Sequence, residues 1–253
     1  MATKMTKREL QGPDKFQEEA GGIFEWAHNH PREVAMAGAG LVAIVFVIGL
    51  TFGDGRGSVD PEAGADLAAA LELVDRPVGG AAAEGAEPPF ASEAEKQQAI
   101  AQALEGVRKE HGGTSTAIAA TLPLADAKFK LAQYDEALAL YDEYLKKAPK
   151  EAQLRFLALE GRAQTLEAQG KDDEAVQAWD RLAKEAPTYA DRALFGKGRL
   201  LEKQEKWDEA RAAYQQIQKE HAEGAMARLA SERLTELDRS HPAAAAAAAT
   251  EGK

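Results

Sequence analysis

The sequence contains no cysteine, which excludes a disulfide framework, a thiolate nucleophile and a thiolate metal site. Basic residues are in deficit: 31 Lys and Arg stand against 42 Asp and Glu, a formal net charge of −11. Phosphate backbones are bound by clustered positive charge, and no basic stripe is present, so nucleic acid is not an expected partner. Aromatic residues make up only 6% while alanine is abundant. That composition packs helices through small side chains rather than filling a β-rich core.

Motifs of catalysis are missing too. There is no Gly-rich phosphate loop, no Gly-x-Ser-x-Gly elbow and no His-Glu-x-x-His. The five histidines do not converge: His28 and His30 are two residues apart, a spacing that faces different ways on a helix, while His111 and His221 end helices, where a positive tip suits the dipole. No metal, cofactor or enzymatic activity is expected.

What is present begins with a long uncharged run, Val34 to Gly53. Twenty residues of helix span about 30 Å, the thickness of a bilayer's hydrocarbon core, so 34–53 is predicted to be a transmembrane helix behind a polar tail at 1–33. A cleavable signal peptide is the alternative. The long leader, and an Ala37-Gly38-Ala39 run inside the apolar stretch rather than after it, favour an uncleaved anchor. Lys4, Lys7, Arg8, Lys15 and Arg32 precede the span, against Arg56 and Arg76 in a comparable stretch after it, which places the N-terminus inside and the bulk of the chain outside. Ala35, Ala39 and Ala43 form a small-residue ladder through which the span could associate into a homo-oligomer.

Beyond the span, 54–113 reads as a linker with two capping helices. One covers Pro61 to Val74 with Leu67, Leu71 and Val74 at helical spacing. The other opens on the capping box Ser92-Glu93-Ala94-Glu95 and runs to about His111. Then one pattern recurs three times: Tyr134-Asp135-Glu136-Ala137, Asp172-Asp173-Glu174-Ala175 and Trp207-Asp208-Glu209-Ala210. Repeats in this size range mark a stacked array. Ala137, Tyr141 and Tyr144 share a helix face, as do Ala175, Trp179 and Leu182, and Ala210, Tyr214 and Ile217. Another small residue, Ala125, Ala163 or Gly198, precedes each of these alanines by one helix length, so two helices of each copy can approach closely as a hairpin. The Asp-Glu pairs are placed to favour the dipole and cap free donors at each second helix. Pro123 is expected to kink or shorten the first helix. The repeats occupy 114–222, a capping helix 223–240, and the alanine-rich 241–253 is read as a disordered tail.

A small residue in helix A, a small residue and an aromatic in helix B, and a closing proline, here Pro149 and Pro187, resemble the tetratricopeptide repeat. The fold expected is therefore all-α, a transmembrane helix followed by a tetratricopeptide-like solenoid of helical hairpins. The resemblance implies a concave face built from helix A: Ala119, Leu122, Asp126 and Phe129, then Leu157, Glu160 and Gln164, then Arg192, Phe195 and Arg199. Leu122, Asp126, Phe129, Leu157, Glu160, Arg192, Phe195 and Arg199 are the candidate protein-binding residues, the apolar ones as anchors and the arginines as sites for acidic groups. Domains of this kind that clamp the C-terminal carboxylate of cytosolic chaperones need Lys and Asn where this chain has Leu122, Asp126, Glu160 and Gly161, so that role is not implied.

Tail, single span and exported hairpins together resemble the bacterial inner-membrane family of ancillary Sec-translocon subunits. That resemblance implies a periplasmic interaction module whose partners are translocon subunits, periplasmic chaperones or exported chains. A scaffold of another cell-envelope complex, in cell division or outer-membrane assembly, is the alternative.

Overall fold

A computed structural model describes residues 60–80 and 87–242. The expected tail, the span at 34–53 and most of the alanine-rich segment lie outside the described residues. Among the described residues no helix is long and apolar enough to cross a membrane. The structure there is all-α, with one isolated β-bridge between Val78 and Phe90.

Helix α1, Pro61–Asp75, starts where Asp60 accepts the Glu62 N–H at 3.1 Å. It buries Ala63, Leu67 and Ala70, and leaves Val74 out. Of the three residues at helical spacing, Leu67 is buried and Leu71 packs half-buried against the core, and only Val74 stays out. Helix α2, Glu93–Glu110, opens on the expected box: Ser92 Oγ accepts the Glu95 N–H at 3.1 Å, and the Glu95 carboxylate accepts the Ala91 N–H at 2.7 Å. Three hairpins follow, α3 (Ser115–Lys130) with α4 (Tyr134–Lys147), α5 (Arg155–Ala168) with α6 (Asp172–Glu185), and α7 (Ala190–Lys203) with α8 (Trp207–Glu220). Helix α9, Ala227–Ser240, packs on α8. Each of these helices packs mainly on the one before it and the one after.

The close approach inside each hairpin is as the small residues dictate: Ala125 with Ala137, Ala163 with Ala175, and Gly198 with Ala210 are all buried. The aromatic one turn later does more than fill its own hairpin. A Cβ on Gly161 would lie 2.3 Å from the Tyr141 ring, and one on Gly196 would lie 2.8 Å from Trp179. Each ring is thus covered by a glycine of the next repeat's helix A, which locks repeat to repeat. At the turn between the two helices of each copy, Ala132, Gly170 and Glu205 take positive φ (58°, 72° and 59°). There the next N–H, of Gln133, Lys171 or Lys206, donates back to the Lys128, Leu166 or Leu201 carbonyl, each at 2.9 Å. This is the left-handed closure of a Schellman end, and only one copy supplies it with glycine.

Two expectations are corrected. Pro123 does not shorten α3, which runs through it for 16 residues against 14 in each other repeat helix; losing one N–H does not outweigh burial on both sides of the helix. The Asp-Glu pairs do not cap: α4, α6 and α8 have no side-chain cap bond. Instead Asp135 accepts from Gln169 Nε2 at 2.8 Å, and Asp172 and Asp173 pair with Lys203 at 3.0 Å and Lys206 at 3.3 Å. They join one repeat to the next, while their charge still suits the helix N-terminus.

Candidate protein-binding wall

Helices α3, α5 and α7 carry the residues expected on the concave face, and the structure sorts these into three kinds. Leu122 is buried, 7% exposed, and belongs to the core. Phe129 and Phe195 are half-buried, tilted against Tyr134 and Tyr214 with ring centroids 5.6 Å apart in both pairs. Leu157 is 40% exposed, the one large apolar side chain of the three hairpins so open. The apolar anchors available to a partner are therefore Leu157 with the outer edges of Phe129 and Phe195, and not Leu122.

The charged residues are brought together with one another. Arg192 Nε donates to Glu160 Oε1 at 2.6 Å, and Gln164 Nε2 donates to the same oxygen at 3.2 Å. Arg199 forms two parallel bonds of 2.7 Å with Glu167; that carboxylate holds the guanidinium pKa above its ordinary value against the opposing effect of burial. Asp126 is exposed and paired with Lys130 at 2.7 Å within α3. A third inter-helix pair was not read from the sequence: Arg233 of α9 donates to Glu202 of α7, Nε to Oε1 at 3.1 Å, and Glu202 also accepts from Tyr214 Oη at 2.5 Å. Burial and then the neighbouring Glu202 push the Tyr214 pKa up. A signal did exist. Arg192 follows Glu160, and Arg199 follows Glu167, by 32 residues, and Arg233 follows Glu202 by 31, one repeat period less about a turn. Arg192 and Arg199 thus do not stand free to attract acidic groups.

Chemistry of another kind is poorly served. Asp66, Glu110 and His111 bring three potential ligand atoms within 4.8 Å of one another, but His111 Nε2 is hydrogen-bonded to Asp66 Oδ2 at 2.7 Å, a contact that ties α1 to the end of α2. His28 and His30 lie outside the described residues.

Comparison with known proteins agrees with this geometry. The tetratricopeptide repeat-like domain family matches residues 80–240. A crystal structure of a tetratricopeptide repeat protein from Parabacteroides merdae is similar, with 17% identity and a TM-score of 0.52 over 70% of this chain and 60% of that one. This chain thus matches about 60% of that protein's length, and the likeness shows the fold alone. No characterised protein matches by sequence. Three stacked hairpins and a family match over most of the chain lead to one conclusion: the chain belongs to the tetratricopeptide repeat-like domain family.

Proposed function

We propose that this chain is a non-enzymatic protein-interaction module, anchored in the bacterial inner membrane by 34–53 with its N-terminus in the cytoplasm. Its repeats then stand in the periplasm and assist the Sec translocon and periplasmic chaperones with newly exported chains. The observation that carries the interaction reading is the row of helix A side chains, in which Leu157, Phe129 and Phe195 offer apolar surface on a rigid repeat scaffold. A scaffold that holds such residues in place leaves little ordering cost on its own side when an extended chain docks. The uncharged 20-residue run and the Lys/Arg asymmetry support the anchor and its orientation.

The test is crosslinking in intact membranes from a photoreactive residue at position 157, with one at the exposed Gln177 of α6 as control. Recovery of translocon subunits, chaperones or nascent exported chains from position 157 alone supports the reading. Equal products from both positions, or a protein released from the membrane by alkaline carbonate, would contradict the wall or the anchor respectively.

A further inference from the structure

The charged part of the wall has an unusual distribution of exposure. The carboxylates of Glu160, Glu167 and Glu202 are 8%, 16% and 10% exposed, while the arginines they hold, Arg192, Arg199 and Arg233, are 54%, 52% and 45% exposed. Each pair therefore hides its anion beneath its cation. At a distance the charges cancel, so the pair exerts little field across a screened solvent. At contact the guanidinium still presents N–H groups that its glutamate does not use, because arginine carries five and these pairs engage one or two. The buried carboxylate also fixes each fork, which reduces the side-chain entropy lost when a partner is bound.

We infer that the arginine ladder makes this wall a reader of the polypeptide backbone, whose partner is an extended segment with little net charge rather than an acidic one. Carbonyl oxygens of an extended chain are neutral acceptors, and every sequence has them. Leu157, with the edges of Phe129 and Phe195, supplies apolar contact beside that row of donors. An acidic segment gains no steering from arginines already neutralised, and it approaches a chain of net charge −11. The inference rests on the interaction-module reading and narrows the class of partner that reading allows.

The experiment measures binding of two fluorescent peptides of equal length to the full chain, one neutral and one acidic, both built from residues that keep them extended, at low and high salt. The neutral peptide is expected to bind at least as tightly as the acidic one, with its affinity changing by less than about threefold between the two salts. The double variant Glu160→Gln with Glu167→Gln uncovers two arginines, and is expected to acquire an acidic preference of about tenfold that high salt removes; its helical content is checked by circular dichroism. Should that variant misfold, Glu167→Gln alone, whose carboxylate is the more exposed of the two, carries the same expectation at smaller size. An acidic preference already present in the unaltered chain, or none gained on uncovering the arginines, overturns the backbone reading but leaves an interaction module. If neither peptide binds, both the inference and the wall as a polypeptide site are wrong.

Discussion

The two ends of the repeat array are closed differently. Toward the N-terminus a single apolar core runs from α1 through α6 and takes in Ala193 and Leu200 on one face of α7. The other face of α7, with α8 and α9, holds a separate cluster of only seven buried residues: Leu194, Leu201, Ala210, Tyr214, Ile217, Ala230 and Leu237. What the smaller cluster lacks in apolar burial is supplied by polar contacts. Arg211, 7% exposed, donates to Asp208 at 2.8 Å, Asp238 at 3.0 Å and the His241 carbonyl at 2.5 Å. The His241 ring stacks on Trp207 at 3.8 Å, and Arg233 closes over Glu202 and Tyr214. A stacked array needs a polar outer face where it stops, and here the last hairpin accepts that requirement at the expense of its core.

The largest effect is expected in the continuous core. Ala175 is fully buried at the close approach of α5 and α6; Ala175→Arg both overpacks the contact and buries a charge, a loss of about 3 kcal/mol or more. Asp173→Ala removes one exposed pair with Lys206 and is expected to cost under about 1 kcal/mol. Denaturant midpoints of the two variants check this, and equal shifts would break the distinction between packing and surface.

Next in size is the seam between the two clusters. Gly196 has no room for a side chain beside Trp179, so Gly196→Ala pushes α7 from α6 and is expected to cost about 1–3 kcal/mol. Chemical denaturation should then become two transitions, with α7–α9 lost first; a single unchanged transition would mean that the clusters are more tightly coupled than their packing indicates.

A smaller and opposite effect is expected at the helical turns. Glu205 holds a positive φ where the middle copy has Gly170. A left-handed L-residue costs roughly 1–2 kcal/mol, partly offset by the extra unfolded-state freedom of glycine, so Glu205→Gly should stabilise the C-terminal hairpin by about 0.5 kcal/mol. A lower melting temperature for that variant would contradict the left-handed turn.

The smallest expected effect separates the ends by pH. His111, faced by Asp66 and Glu62 of α1, by Asp60 just before that helix and by Glu110 at the end of α2, has its pKa raised above 6.5, chiefly by the hydrogen bond it donates to the Asp66 carboxylate. Its contribution is complete below the ordinary histidine value and is lost as pH rises through the raised one. Burial raises the Glu143 pKa, but Lys147 and Arg108 together hold it below 4.5, so its contribution is present above that value and lost as pH falls. Melting followed from pH 5 to 8, a range of about the width over which histidine titrates, should weaken docking of α1 at the high end, and His111→Gln should flatten the profile.

The fold was legible because each hairpin depends on residues that repeat in kind: a small residue on each helix and an aromatic one turn on. The glycines under Tyr141 and Trp179 were less legible, since they act on the preceding copy and not their own, although Gly161 and Gly196 stand one repeat apart. Ala132 and Glu205 gave no sign, because nothing in either side chain announces a left-handed backbone. For the wall, position was readable and accessibility was not. Ala119 and Leu157 occupy equivalent places, yet α3 is flanked by α1, α2, α4 and α5 and Ala119 is half-buried, while Leu157 is open; Leu122, equivalent to Glu160, is buried as that glutamate is. Whether an arginine is free or paired depends on a glutamate about thirty residues away, and so on the stacking itself.

Hydrogen exchange of the full chain, followed peptide by peptide, tests the difference between the two ends most directly. Amides of α8 and α9 are expected to exchange through a local opening of lower free energy than those of α2 to α6, which should exchange together at the global limit. Uniform protection from α2 to α9, or a more labile α4 than α8, would contradict it.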